Sequence, residues 1–193
     1  VLVMTATPIP RTMALALFGD LDVVTLTRRP ARRTAVRAVH VPTEKWARVI
    51  RSIERAVRRE GRGFVVCPAG GEEGEKGGVM RVHEALQKKF RCALVHGRVK
   101  ASERQRALAL FREGIVDVLV GTTVLEVGLD VPQATLVVIV AADRFGIATL
   151  HQVRGRVGRG QRRGIALLCG PKTERVEAGC ATTNCSELAE RAL

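Results

Sequence analysis

VDVLVGTTVLEVGLDVPQATLVVIV, residues 116–140, contains two apolar runs rich in Val and Leu, at 116–120 and 135–140. Runs of the same kind occur at 64–67, 92–95 and 165–169. Apolarity that continues without polar alternation is typical of strands buried on both faces, as in a parallel sheet. The five runs therefore predict strands of a parallel sheet.

Helical stretches lie between several of these runs. We predict them at 43–60, 79–90 and 102–111. Ser102 and Gln105 have the spacing of a capping box at the start of the third helix. Strands that alternate with helices predict an open α/β sheet with helices on both faces, a three-layer α/β/α arrangement.

The composition favours a polyanionic partner. The 193 residues carry a formal net charge of +13, and only 3% of them are aromatic, with no tyrosine. A strongly positive charge favours nucleic acid, and scarce aromatics favour contacts with phosphates over stacking on bases.

The apolar runs are too short to span a bilayer, so no membrane partner is expected. A chain of this length fits one domain of ordinary size.

The cysteines suggest neither a zinc site nor a disulfide framework, because no two of the five have the Cys-x-x-Cys spacing. They are Cys67, Cys92, Cys169, Cys180 and Cys185. We expect reduced, buried thiols and no metal site.

An arginine-rich segment, HQVRGRVGRG at 151–160, points to a phosphate ligand. Glycines allow close approach of a backbone, and the guanidinium groups of Arg154, Arg156 and Arg159 can grip phosphate oxygens as forks. The sequence contains no phosphate-binding loop with Gly-Lys-Ser/Thr spacing, and no aspartate is followed by glutamate. The segment is therefore either half of a nucleotide site or a basic turn that touches DNA or solvent.

Two further motifs follow predicted strands. HGRVK at 96–100 comes after the strand at 92–95, and GTTVLEVGLDVP at 121–132 comes after the strand at 116–120. In open α/β sheets ligands bind at the carboxyl ends of the strands. We expect these motifs and the arginine-rich segment to converge on one rim of the sheet.

Four stretches now resemble the later motifs of superfamily-two helicases, in the order in which that family has them. They are TATPIPRT at 5–12, LVHGRVK at 94–100, VLVGTTVLEVGLDVPQA at 118–134 and LHQVRGRVGRG at 150–160. GDLD at 19–22 and DRFGIATLHQ at 143–152 resemble the RecG branch most closely. The transcription-repair coupling translocases of the Mfd type share much of the pattern and are the nearest relatives.

The resemblance implies a RecA-like fold and an ATP-dependent DNA helicase that remodels branched or forked DNA in recombination and repair. It implies a monomeric, cytoplasmic motor associated with the nucleoid. ATP and Mg²⁺ would bind between this chain and a first motor domain, which would carry the phosphate loop, the Asp-Glu box and the magnesium ligands. Residues 1–35 would then be the end of that first domain and a basic linker, 36–172 the second RecA-like domain, and 173–193 the start of a truncated C-terminal extension.

The same resemblance assigns roles to individual residues. The catalytic group comprises two arginine fingers that reach the ATP γ-phosphate and a glutamine that senses phosphate and attacking water: Arg156, Arg159 and Gln152. The ATP site also includes Gly128 and Asp130. Contacts with the DNA backbone fall to His96, Gly97, Arg98, Thr122 and Thr123, where Thr122 and Thr123 offer both hydroxyl and amide donors. Coupling of the ATP state to the DNA grip falls to Thr5 and Thr7.

Other interpretations stay open at this point. His96 suits a structural role as well as a DNA contact, and Arg154 is assigned to the surface or to DNA. The glycine-rich tract at 70–78 departs from the family pattern and receives no contact. The alternatives to a RecG-type motor domain are an Mfd-type translocase and a non-enzymatic nucleic-acid-binding remnant of a helicase. In each case we expect the chain alone to lack ATPase activity.

Overall fold

The computed structural model describes residues 36–69, 74–122 and 131–181, and at 74–77 it describes only the backbone. These residues form a six-stranded sheet in which every neighbouring pair is parallel, in the order β1-β6-β5-β2-β4-β3. The strands are β1 Arg37–Val41, β2 Arg62–Val66, β3 Cys92–Val95, β4 Val118–Gly121, β5 Ala134–Ile139 and β6 Ile165–Cys169. The five predicted strands are confirmed as β2 to β6, with ends shifted by a few residues.

Strand β1 has no counterpart among the predicted strands. It lies at an edge of the sheet, pairs only with β6 in the described residues, and buries only Val41 completely. An edge strand does not need apolar residues on both faces, so RAVHV lacks the continuous apolar run that identifies the central strands.

Five helices cover the sheet in the part of the chain that the structure describes. They are α1 Trp46–Arg58, α2 Gly74–Gln87, α3 Ala101–Glu113, α4 Ile147–Arg154 and α5 Glu174–Ala181. Short 3₁₀ turns precede α1 at Thr43–Lys45 and α4 at Ala142–Arg144. The three predicted helices are confirmed as α1, α2 and α3.

The capping box predicted at Ser102 is wrong. Helix α3 begins at Ala101, and Lys100 occupies the N-cap position without any side-chain cap. The amide of Arg104 already donates to the carbonyl of Lys100 at 3.0 Å, so Ser102 lies inside the first helical turn. A residue with helical backbone angles cannot act as N-cap, which requires an extended conformation.

Two apolar layers lie on opposite faces of the sheet. On one face Val49 and Ile53 of α1 and Leu86 of α2 pack against alternate strand residues such as Val65. On the other face residues of α3, α4 and α5 pack against the remaining strand positions, among them Phe64. Each central strand therefore needs apolar side chains at successive positions, and the predicted three-layer fold is confirmed.

Arg154 joins the last two helices in the interior. Its side chain is 7% exposed, and one guanidinium nitrogen donates to the carbonyl of Gly179 in α5 at 3.0 Å. A Cβ atom at Gly179 would lie 3.0 Å from side-chain carbons of Leu150 and Leu168, so the glycine allows α5 to approach closely. The assignment of Arg154 to the surface or to DNA is wrong, because α5 covers it.

Helix α5 lies just beyond the boundary predicted at residue 172, and it buries Val176 completely against the same core. The boundaries predicted at 35 and 172 nevertheless stay predictions. Residues 1–35 and 182–193 lie outside the described residues.

The four cysteines that the structure describes are unpaired. Burial raises the pKa of the Cys67 and Cys169 thiols to about 12. Cys92 is half-buried, and desolvation together with the negative charge of Asp117 raises its pKa to about 12 as well. Cys185 lies outside the described residues. The thiols seen here are therefore protonated, apolar groups of the packed domain rather than reactive ones.

Replacement of Arg154 by alanine should lower the free energy of unfolding by about 1–3 kcal/mol, because the buried carbonyl of Gly179 loses its donor. Arg163→Ala is the matched control, since Arg163 is an exposed arginine shortly after the segment and should change stability by no more than about 0.5 kcal/mol. Urea unfolding followed by circular dichroism measures both. Equal effects of the two substitutions would contradict the buried contact.

Native thiols should react slowly with iodoacetamide. With a folded-state pKa of about 12, well under about one in a hundred of the Cys67 and Cys169 thiols is ionised near pH 8, whereas an unfolded cysteine is partly ionised there. Peptide mass spectrometry after labelling with and without urea gives the rate for each site. Rapid labelling of Cys67 in the folded protein would show that its burial is wrong.

Candidate nucleotide and nucleic-acid interfaces

The loop at 96–100 begins where β3 ends, at the carboxyl edge of the sheet. The amide of Val99 donates to the carbonyl of His96 at 3.0 Å, and the amide of Arg98 donates to the Nδ1 atom of His96 at 3.3 Å. The His96 ring thus stabilises the turn, as its structural interpretation expects. Gly97 and Arg98 are exposed on the same loop and accessible to a backbone phosphate.

Thr122 follows β4 at the same edge, beside the loop. It is 4% exposed, and its amide donates to the carbonyl of Val95 at 3.3 Å. The amide is therefore occupied within the sheet, and a contact of Thr122 with a DNA phosphate stays a prediction. Thr123, Gly128 and Asp130 lie outside the described residues, as do Thr5 and Thr7, and their roles stay predictions.

The arginine-rich segment lies at the opposite edge. After α4 ends, the amide of Gly158 donates at 3.2 Å to the carbonyl of Ala134, the first residue of β5. A Cβ atom at Gly160 would come within 2.6 Å of the carbonyl oxygen of Pro132. Both contacts place the segment at the amino ends of the strands.

The expected convergence of all motifs on one rim is therefore wrong. Helix α4 follows β5 and runs back across the sheet, so its C-terminal end and the loop after it reach the amino edge. Strands of four to six residues separate the two edges by about 13–20 Å at a rise of about 3.3 Å per residue. His96 and Thr122 thus form one group and the arginines another.

Glycines allow the tight path of the arginine loop. Gly158 has φ of +70°, a left-handed conformation that favours glycine, and a Cβ there would lie 3.0 Å from the amide nitrogen of Gly164. Gly164 in turn packs against the backbone of Val157 and Gly158. The glycine at position 158 therefore has a local structural cause as well as the ligand-related one inferred from sequence.

The three predicted catalytic residues lie on one short segment at the end of α4. Gln152 lies in the last turn of α4, Arg156 follows just after it, and both are half-buried. Arg159 is exposed, and its Nε atom donates to the carbonyl of Gly155 at 3.0 Å, which fixes the plane of the guanidinium against the loop. One short segment at the amino edge thus presents two arginines and a glutamine, while their contact with ATP stays a prediction.

Arg162, which has no predicted role, connects the same loop to the end of α1. Its guanidinium donates to the carbonyl of Arg59 and lies 3.8 Å from the carboxylate of Glu60. The loop is therefore held at both ends, by β5 and by α1. The sequence gives no signal for this contact beyond an exposed Arg-Arg pair, because its partner lies 103 positions away.

A cleft of about 750 Å³ opens at the carboxyl edge, where the loops after β5 and β6 meet. It is lined by Asp143, Ile147, Thr173, Glu174, Arg175 and Ala178. The Oδ1 atom of Asp143 is buried and has no hydrogen-bond partner among the described residues. None of the predicted site residues that the structure describes lines this cleft.

Neither a metal cluster nor a membrane-spanning helix is found in the described ranges. No three His, Cys, Asp or Glu side chains there lie close enough together to hold a metal ion. None of the helices described is both long and apolar enough to cross a bilayer.

Comparison with known proteins identifies related chains. Residues 44–161, more than half of the chain, match the model of the helicase conserved C-terminal domain. The chain is 46% identical over 166 residues to the ATP-dependent DNA helicase RecG of Thermotoga maritima, covering 82% of this chain and 21% of that protein. It is 37% identical over 204 residues to RecG of Staphylococcus epidermidis, covering the whole chain and 30% of the relative.

Solved structures agree with these relatives. A structure of RecG bound to a three-way DNA junction superposes with a TM-score of 0.81 at 40% identity, over 96% of this chain and 26% of that one. Yeast Dbp5 bound to RNA and ADP BeF₃ superposes with a TM-score of 0.62 at 20% identity, over 86% of this chain and 43% of Dbp5, and shows the fold alone.

The resemblance to RecG-type helicases and the RecA-like fold predicted from the motifs are confirmed. The chain spans between a fifth and a third of the length of the RecG relatives that it matches. It belongs to the helicase conserved C-terminal domain family.

Proposed function

We propose that the chain is the second motor domain of a RecG-type, ATP-dependent DNA helicase that remodels branched DNA. The observation that carries this proposal is the segment at the amino edge that contains Gln152, Arg156 and Arg159. Its turn requires glycine at position 158, whose amide donates to the carbonyl of Ala134 in β5. No phosphate-binding loop is present in the sequence to complete a nucleotide site. The RecG relatives, which are named as ATP-dependent DNA helicases, support the assignment.

Arg156 and Arg159 would act on ATP that is held by another motor domain. A guanidinium placed against the transferring phosphoryl group neutralises the charge that develops on its oxygens, and it does so best when it is already oriented. The hydrogen bond from Arg159 to Gly155 provides such orientation before ATP arrives. Gln152, on the same segment, would orient phosphate and attacking water.

The DNA grip would lie at the opposite edge of the sheet. Gly97 and Arg98 are exposed there, and Thr122 follows the neighbouring strand β4, its amide bonded to the carbonyl of Val95 in β3. Contacts of this type with phosphates hold a strand without reading its bases. ATP and DNA would thus bind to different edges of one rigid sheet. When this domain closes on ATP, the whole sheet would move as a rigid body and the DNA-binding edge would move with it.

Mg²⁺ would belong to the ATP side of the site. The described residues around the arginine loop supply cations for phosphate and no carboxylate cluster for a metal. A bound magnesium ion would neutralise the β- and γ-phosphate oxygens. Its protein ligands are therefore expected on the domain that carries the phosphate-binding loop.

The 193-residue chain by itself should show no DNA-stimulated ATP hydrolysis, because it contributes fingers but no phosphate loop. A coupled ATPase assay with a three-way junction measures this, and DNA binding by the same preparation shows that the protein is active. Turnover above background would refute a site split between domains.

The test uses a protein that joins this chain to a motor domain with a phosphate-binding loop. In it, Arg156→Ala or Arg159→Ala should lower kcat by about 10³-fold or more. ATP binding should be largely preserved, because the fingers act on the transition state. Fluorescent-nucleotide binding and steady-state ATPase assays separate the two effects.

Arg163→Ala is the control for the arginine fingers, because it removes an exposed arginine from the same loop without touching the proposed site. It should leave kcat within about twofold of the unsubstituted protein. If the finger variants retained full turnover and lost DNA affinity instead, the loop would be a basic DNA-contacting turn, as in the non-enzymatic alternative.

A further inference from the structure

Helix α1 carries a straight row of arginines on its outer face. Arg48, Arg51, Arg55 and Arg58 are spaced by three, four and three residues, and all four are exposed. This spacing places side chains on one face of a helix, and at about 1.5 Å per residue the row is about 15 Å long. We call these four residues the arginine row.

The opposite face of α1 fixes the direction of the row. Val49 and Ile53 are 0% and 1% exposed against the sheet, so the helix cannot rotate to bury its arginines. Since the apolar face is already covered by protein, the helix cannot insert that face into a lipid surface in the way that membrane-binding amphipathic helices do. A partner of the row must therefore be recognised by charge and hydrogen bonding.

No ion pair balances the charge of the row within the described part of the chain. None of its four side chains forms an ion pair with a described residue, and the only acidic residue of α1, Glu54, lies 4.0 Å from the Nζ atom of Lys89. Like charges three and four positions apart destabilise a helix. The fold therefore carries four adjacent positive charges that favour an external polyanion.

We propose that the arginine row is a second contact for the backbone of duplex DNA, separate from the group at Arg98 and Thr122. The inference rests on the proposed DNA-helicase function. Each row member is arginine rather than lysine, and the guanidinium fork matches two phosphate oxygens at once.

A duplex fits the row better than a single strand. The row is rigid, and a duplex is a stiff polyanion with one negative charge per about 1.7 Å of its axis, so a row of about 15 Å lies against several phosphates. Single strands are held chiefly by stacking on aromatic side chains, and the only aromatic residue of α1, Trp46, packs against the core cluster. The row would hold the duplex without sequence preference.

The test removes the row and measures the salt dependence of DNA binding. A variant of the 193-residue chain with all four residues changed to glutamine would be titrated against a labelled duplex of about 20 base pairs, without ATP, between about 50 and 200 mM salt. Each lost phosphate contact should reduce the slope of log K against log salt by about 0.9, so we expect a reduction of about two to four and at least a tenfold weaker Kd at the lowest salt.

A matched variant removes four charges elsewhere, with Lys88, Arg104, Arg106 and Arg112 changed to glutamine. We expect its slope to change by less than about one. Equal losses for the two variants would overturn the proposal, because binding would then follow net charge alone. An unchanged slope for the row variant, or a greater loss on single-stranded DNA or RNA than on duplex, would overturn it as well.

Circular dichroism of each variant controls for folding. If the fourfold variant unfolds, a double variant with Arg51→Gln and Arg55→Gln replaces it, and we expect this variant to reduce the slope by about one to two. Because no ATP is present, failure here leaves the role of Arg156 and Arg159 intact. Conversely, unaffected ATPase activity in the finger variants would refute the proposed motor site while leaving the duplex contact measurable.

Discussion

The hydrogen bond from the amide of Gly158 to the carbonyl of Ala134 is the contact on which the candidate nucleotide site depends. It attaches the loop after α4 to the amino end of β5, in the middle of the sheet. Glycine is required at position 158 by its positive φ and by the approach of Gly164. The backbone of the sheet therefore positions the loop, and the side-chain contacts of Arg159 and Arg162 add to this attachment.

This attachment also separates the two candidate interfaces. In a parallel sheet every connecting helix runs against the strands, so a residue before α4 lies at the carboxyl edge and a residue after it at the amino edge. The proposed DNA contacts and the proposed finger residues consequently lie on opposite edges of a six-stranded unit with apolar layers on both faces. Such a unit moves as one body, which is how binding at one edge can displace the other.

The central strands can be predicted from the sequence because burial on both faces requires a continuous apolar run, as in the strands at 64–67 and 135–140. The sequence does not predict β1, whose exposed edge relaxes that demand. It predicts the chemistry of Arg156 and Arg159 through a motif, but not the edge on which they lie, since this depends on the direction of a short helix. The burial of Arg154 escapes prediction because its covering residue, Gly179, lies 25 positions further on in an unpredicted helix.

The arginines that give the chain its positive charge thus have different structural roles. Arg154 donates to the buried carbonyl of Gly179, and Arg162 donates to a carbonyl at the end of α1. Arg159 donates to the carbonyl of Gly155 in its own loop. The contacts of Arg154 and Arg162 hold their guanidinium groups within the domain, whereas the contact of Arg159 orients its guanidinium for the proposed contact with ATP. The arginine row differs, because its members form no ion pair among the described residues and are held outward by a buried apolar face. Net charge favours a polyanionic partner, whereas only the local contacts of each arginine separate structural residues from those that are candidates to meet phosphate.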